Sequence, residues 1–232
     1  MAGRIDRPRQ LAFVLPHTES LTRDNFLEGP SNELALALVD SWPDWPNRTM
    51  LLVGPEGAGK SHLAAIWAER SGARVVAASV LTDAAVPEAV STGALVVEDL
   101  APEVIDERAM FHLMNLARED GAYVLMTARA APASFAVALR DLNSRLRAVP
   151  VIAIAEPDDQ LFRALIVKLC TDRQMSVDEA MVNYLATRIE RSVAAARETV
   201  ALLDAESLRQ RRPVTRALAA ELLRDDPAPL PD

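Results

Sequence analysis

The chain has 232 residues, of which 50% are apolar and 25% charged, so it has room for one sizeable globular core with a small appendage and is not a disordered or fibrous chain. Its net charge of −8 argues against a protein whose main task is gripping nucleic-acid backbone, and no apolar run reaches the length of a membrane span or of a signal peptide. A single cysteine, Cys170, excludes an internal disulfide and fits a reducing cytoplasm, while His17, His62 and His112 lie far apart without cysteine partners at zinc spacing.

In chain order, residues 1–20 read as an irregular arm carrying Pro8 and Pro16. A helix follows over Asn32 to Ser41, ended by the turn Trp42-Pro43-Asp44-Trp45-Pro46. Strands are predicted at Thr49–Val53, Arg74–Ala77, Ala94–Val97, Tyr123–Thr127 and Val151–Ala155. Helical patterns separate them at Lys60–Ser71, Pro87–Ser91, Glu107–Glu119 and Ala133–Leu146. Alternation of this kind means an α/β domain over 21–155, a parallel sheet flanked by helices on both faces. After Pro157 the strands stop. Asp158–Arg173, Val177–Arg188, Val193–Arg209 and Thr215–Leu223 are all helical, which predicts a small all-helical lid subdomain over 156–224. Residues 225–232, rich in proline and aspartate, read as a disordered tail. Basic clusters occur at 4–9, 140–147 and 209–216, the last reading as a solvated helix face.

One motif carries more chemistry than the rest. Gly54-Pro55-Glu56-Gly57-Ala58-Gly59-Lys60-Ser61 matches the phosphate-binding pattern G-x-x-x-x-G-K-S/T. The apolar strand Met50–Val53 leads into it, and a helix beginning His62-Leu63-Ala64 leads out. The glycines let backbone N–H groups close around phosphate oxygens, and the helix N-terminus adds positive potential. Lys60 is expected to reach the β- and γ-phosphates and Ser61 to ligate Mg2+. The pattern makes this a P-loop nucleotide site with ADP or ATP and Mg2+ as its cofactors.

A second element completes it. The apolar run Ala94-Leu95-Val96-Val97 ends in two acids, Glu98 and Asp99. In a parallel sheet, ligands sit beyond the carboxyl ends of the strands, so both acids arrive near the phosphates. One of the pair can hold Mg2+, a role assigned with Ser61 to Glu98, and the other can orient the attacking water. Glutamate at the first position is less usual than aspartate, which bears on the rate of hydrolysis more than on binding.

Phosphate loop, acid-ended strand and helical C-terminal part together resemble the AAA+ ATPases. Asn25-Phe26-Leu27-Glu28-Gly29-Pro30-Ser31-Asn32 is similar to the F-x-N-F-x-x-G-x-x-N segment of the DnaA/Hda family, and the Trp42–Pro46 turn with Gly59–Ala64 and Trp67 resembles its alphaproteobacterial Hda branch. The resemblance covers roughly residues 9–223. It implies that Asn25 and Phe26 pack against adenine, with His62 beside them. Leu142-Asn143-Ser144-Arg145-Leu146 is similar to the family's L-x-S-R-L/F segment, which implies that Arg145 reaches the γ-phosphate on a neighbouring subunit, with Arg140 and Arg147 as nearby alternatives. Thr127 ends a strand where the family places a residue that contacts the γ-phosphate or its water. The acidic residue that the initiators carry two positions later is Arg129 here. The arginine of the family's lid helix aligns with Ala194, and Arg191 and Arg197 lie three residues to either side. Either one of them substitutes or the contact is missing, and in the latter case preference for ATP over ADP weakens.

Gln10-Leu11-Ala12-Phe13-Val14-Leu15 resembles the peptides that dock on the bacterial sliding clamp, with Leu11, Phe13 and Leu15 as apolar anchors and Gln10 as a polar contact. The same residues also read as a strand packed on the chain's own core. The initiators continue into a helix-turn-helix domain for which this sequence has no counterpart, so no sequence-specific DNA binding is expected, and no membrane contact. The resemblance thus implies a cytoplasmic, replisome-associated regulator that partners the initiator DnaA and the clamp, with self-association open. It would stimulate hydrolysis of initiator-bound ATP and turn over its own nucleotide slowly. The rival readings are an autonomous motor such as a helicase loader or clamp-loader subunit, a scaffold in which nucleotide is structural, and a DNA-binding protein.

Overall fold

In the computed structural model, which describes residues 21–223, five parallel strands form one sheet in the order β2-β3-β4-β1-β5. They are β1 (Thr49–Val53), β2 (Arg74–Ala77), β3 (Ala94–Leu100), β4 (Tyr123–Ala128) and β5 (Val151–Ala153). The arm, with Gln10, Leu11, Phe13 and Leu15, and the tail lie outside the described residues. Burial follows strand position. The central strands β3, β4 and β1 are almost wholly buried, as their unbroken apolar runs require, whereas β2 and β5 at the edges are largely exposed.

Side chains on these strands alternate between two cores. Leu51, Leu95, Val97, Val124 and Met126 point to the face covered by α3 (Val86–Ala89), α4 (Glu107–Asp120) and α5 (Arg140–Ala148). Met50, Leu52, Ala94, Val96 and Leu125 point to the face covered by α1 (Glu33–Ser41) and α2 (Lys60–Ser71). On that second face Trp45, delivered by the tryptophan-proline turn, stacks on Trp67 of α2 at 5.0 Å and 23°. A third core belongs to the lid helices α6 (Asp159–Asp172), α7 (Glu179–Ala186), α8 (Val193–Gln210) and α9 (Arg216–Leu222), and includes Phe162, Ile166, Leu185, Val200 and Leu203. Asp158, Asp178, Ser192 and Thr215 cap the N-termini of these four helices, each accepting a backbone N–H from the first turn.

Two expectations need correction. The helix expected over Ala133–Leu146 is a 3-10 turn at Pro132–Ser134, an extended stretch, and then α5 from Arg140. Glu107, the first residue of α4, accounts for the break, because its carboxylate accepts the N–H groups of Ala138 (2.8 Å) and Leu139 (2.7 Å) and holds them out of a helix. The strand expected to stop at Val97 runs on to Leu100, with a register shift between Val97 and Leu100 against β4. The irregularity falls on Glu98 and Asp99, and Asp99 takes φ +56°.

Candidate nucleotide site

The phosphate loop joins β1 to α2 at the carboxyl end of the sheet. It crosses so close to the strand-to-lid connection that a Cβ at Gly54 would lie 2.4 Å from the Ile154 carbonyl oxygen, so only glycine fits. Gly59 takes φ +97° to turn the chain into α2. Lys60 then points back along the loop, its ammonium donating to the carbonyls of Gly54 (2.8 Å) and Pro55 (2.7 Å). Burial pushes the Lys60 pKa below its ordinary value, an effect offset chiefly by the charge of Asp99 and increased by that of Arg129.

A cavity of about 550 Å3 opens beside the loop and is walled by several parts of the chain. Glu56 to His62 form its floor, Leu21 and Asn25 to Leu27 one side and the lid another, with Asp99 and Arg129 at the strand ends. Phe26 is buried and meets His62 edge-on at 5.2 Å, and the His62 ring is bonded to the Thr22 carbonyl at 2.9 Å. Asn25 accepts from Lys168 of α6 at 2.9 Å, which ties the lead-in segment to the lid. Asn32, which also lines the cavity, pins the same segment, accepting from Gly29 N–H and donating to the Leu27 carbonyl, both at 3.0 Å. The apolar walls suit a flat base and the loop suits phosphates.

The two acids divide. Asp99 is exposed and lines the cavity, whereas Glu98 is half-buried behind it. Glu98 Oε1 is buried and has no hydrogen-bond partner among the described residues, and a buried carboxylate oxygen left so is matched by a cation or a water. Ser61 lies exposed at the head of α2 and lines the cavity with Asp99, whereas Glu98 is not among the lining residues. The donor chemistry of Glu98 and Ser61, a carboxylate oxygen and a hydroxyl, suits a hard cation such as Mg2+, whose preferred ligands are oxygens. Thr127 is fully buried and lies outside the cavity lining, its hydroxyl accepting from Asp99 N–H at 3.0 Å. It braces the bulge that lifts Asp99 into the cavity.

The arginines also divide. Arg197 lines the cavity from α8, while Arg191 is ion-paired with Asp159 at 2.5 Å and does not. Ala194 lies against the phosphate loop, since a Cβ at Gly57 would meet its backbone nitrogen at 3.0 Å, and the neighbouring Val193 N–H donates to Gly57 O at 2.9 Å. Arg145, on α5, sits elsewhere. It lines a groove with Arg48 and Arg118 beside Thr49 and Ala122, the amino-terminal ends of β1 and β4, and its guanidinium lies 5.1 Å from the Phe111 ring centre. Sequence reasoning missed Arg129 as a cavity residue, and missed the lid wall of Leu161, Leu165 and Leu169. The four-residue spacing of those leucines marks a helix face, but a core face gives the same spacing.

No family model matches the chain. In sequence it is 29% identical over 239 residues to the chromosomal replication initiator protein DnaA of Caulobacter sp. (strain K31), covering 88% of this chain and 48% of that protein. It is also 27% identical over 228 residues to an uncharacterized protein of Haemophilus influenzae, covering 93% and 98% of the two chains. Domain III of the Thermotoga maritima initiator DnaA superposes with a TM-score of 0.75 at 17% identity over 90% of this chain and 98% of that domain. The fold is the DnaA-like AAA+ fold. A DnaA structure bound to AMPPCP and single-stranded DNA gives a TM-score of 0.64 at 19% identity, covering 86% and 69%, and the T. maritima RuvB branch-migration motor gives 0.71 at 14%, covering 89% and 72%. AAA+ architecture is thus shared with motors and initiators alike, and the relatives in sequence include both DnaA initiators and the uncharacterized H. influenzae protein. The chain spans about half the length of the curated initiators it matches.

Proposed function

We propose that this chain is a nucleotide-bound regulator of the replication initiator, tethered to the sliding clamp, that stimulates hydrolysis of ATP held by DnaA and so restrains initiation. ADP or ATP occupies the cavity between loop and lid, with its base against Phe26 and Asn25 and its phosphates on Gly57 to Ser61. Ser61 and Glu98 would hold Mg2+, which would supply charge neutralisation at the phosphates, while Asp99 would orient water. Occupancy of the corresponding fold by AMPPCP in a DnaA structure supports this. Gln10, Leu11, Phe13 and Leu15 form the clamp-docking peptide, and the setting is the cytoplasm at the replication fork.

The observation that carries the reading is the position of Arg145. It lies at the amino-terminal ends of the strands, and the chain's own phosphate loop lies at the carboxyl ends. The intervening strand β1 has five residues and is roughly 16 Å long at the usual rise, beyond the reach of an arginine side chain. If Arg145 serves a γ-phosphate, that phosphate belongs to another molecule. An arginine supplied in trans stabilises charge developing on the transferred phosphoryl group and accelerates hydrolysis by about 10³–10⁵ where the effect has been measured.

The test is hydrolysis of initiator-bound ATP with this protein added, with and without clamp loaded on DNA. Clamp-dependent acceleration is expected from wild type, and its loss from Arg145→Ala. No acceleration by wild type in any nucleotide state sinks the regulatory role. A second reading, an autonomous motor, is favoured by Lys60 and Asp99, which both line the chain's own cavity, with Glu98 next to Asp99 on β3. Fast ATP turnover by the isolated protein, stimulated by single-stranded DNA, would bring that reading forward.

A further inference from the structure

Three polar side chains that line the cavity form one hydrogen-bonded network: Asn25 of the lead-in segment, and Lys168 and Asp172 of α6. The Lys168 ammonium donates to Asn25 Oδ1 at 2.9 Å and to Asp172 Oδ1 and Oδ2 at 3.2 and 2.9 Å, which uses its three hydrogens. Asn25 in turn donates from Nδ2 to Thr22 Oγ1 at 3.1 Å. A carboxylate has room for about four hydrogen bonds, and Lys168 supplies two of those at Asp172. What Lys168 leaves open is acceptor capacity, at Asp172.

Helix stability does not account for this carboxylate. Asp172 is the last residue of α6, where the helix dipole disfavours negative charge, and a lysine four residues before an acid is the weaker order of such a pair. Its side chain is 35% exposed and lines the cavity. A base lying against Phe26 and Asn25 turns an edge toward this network, and an acceptor-only group there must be met by a donor. We propose that Asp172 selects the base: its carboxylate, held by Lys168, accepts a hydrogen bond from the exocyclic amino group of adenine. The inference rests on the nucleotide reading above and adds the residue that distinguishes one base from another. A site built to receive an N–H discriminates against the analogue lacking it, because its own polar group is then left unpaired.

The test is isothermal titration calorimetry of the full chain, with Mg2+, against three ligands: ADP, purine riboside 5′-diphosphate (the same ring without the amino group) and inorganic pyrophosphate. Wild type is expected to bind ADP about tenfold more tightly than the purine analogue. Asp172→Ala should lose about tenfold for ADP and less than about twofold for the analogue, so that the two become nearly equal, and should leave pyrophosphate unchanged. The ligand-free Tm of that variant should not fall, since the lost charge opposed the helix dipole. A wild-type preference below about twofold, or a preference that survives in Asp172→Ala, overturns the proposal while leaving the nucleotide site intact. Equal losses for both nucleotides together with a lower Tm would mark Asp172 as a structural residue and overturn it as well. A wild-type chain that binds neither ADP nor pyrophosphate overturns this proposal together with the nucleotide reading.

Discussion

Thr127 and Asp99 show how single residues shape this site. Asp99 adopts a left-handed backbone, unusual for a residue other than glycine, and its N–H is received by the buried Thr127 hydroxyl. Without that acceptor the amide has no replacement from an apolar side chain of the same shape. Thr127→Val is therefore expected to lower unfolding free energy by about 1–3 kcal/mol in urea titrations, whereas Thr127→Ser should stay close to wild type. Equal stability of the valine and serine variants would show that the hydroxyl is not the brace. The apolar run into Glu98 and Asp99 is plain in the sequence, but the bulge that separates their roles is not. It depends on a residue 28 positions away on the neighbouring strand.

At the scale of elements, the local code worked where neighbouring residues decide. Strand β1 and helix α2 begin and end where apolar period, loop glycine and Gly72 place them. It failed between Ala133 and Leu139, where alanine-rich sequence reads as helix. There the carboxylate of Glu107 takes two amide protons from a segment about thirty residues on. Glu107 thereby holds the two residues that precede α5, the helix that carries Arg145. Glu107→Ala is expected to cost about 1–2 kcal/mol of stability, and hydrogen exchange at Ala138 and Leu139 should rise well above wild type. Unchanged protection at those two amides would mean that packing of Phe135 and Leu142 alone holds the segment.

For the whole molecule, the governing feature is that the lid has a core of its own and meets the sheet part across the phosphate loop. Val193 N–H on the Gly57 carbonyl and Lys168 on Asn25 join the two sides, and a ligand between them would be gripped by both. ADP with Mg2+ at one hundred times its dissociation constant should therefore add about 2.7 kcal/mol to unfolding free energy, visible as a higher Tm by calorimetry. Lys60→Ala should show little of that gain. A wild-type Tm indifferent to nucleotide would contradict the shared cavity.

The α/β class, the phosphate loop, the paired acids and the helical lid were all legible in residue order. Each rests on periodicity or on residues within a single turn, where chain connectivity supplies the geometry. Which acid faces the cavity, which of Arg191 and Arg197 stands at it, the pairing of Arg129 with Glu56, and the place of Arg145 at the far end of the sheet from its own loop emerged from the folded chain. Those outcomes depend on distances between side chains on different elements. Such distances follow from strand order and helix packing, to which spacing along the chain gives no direct access.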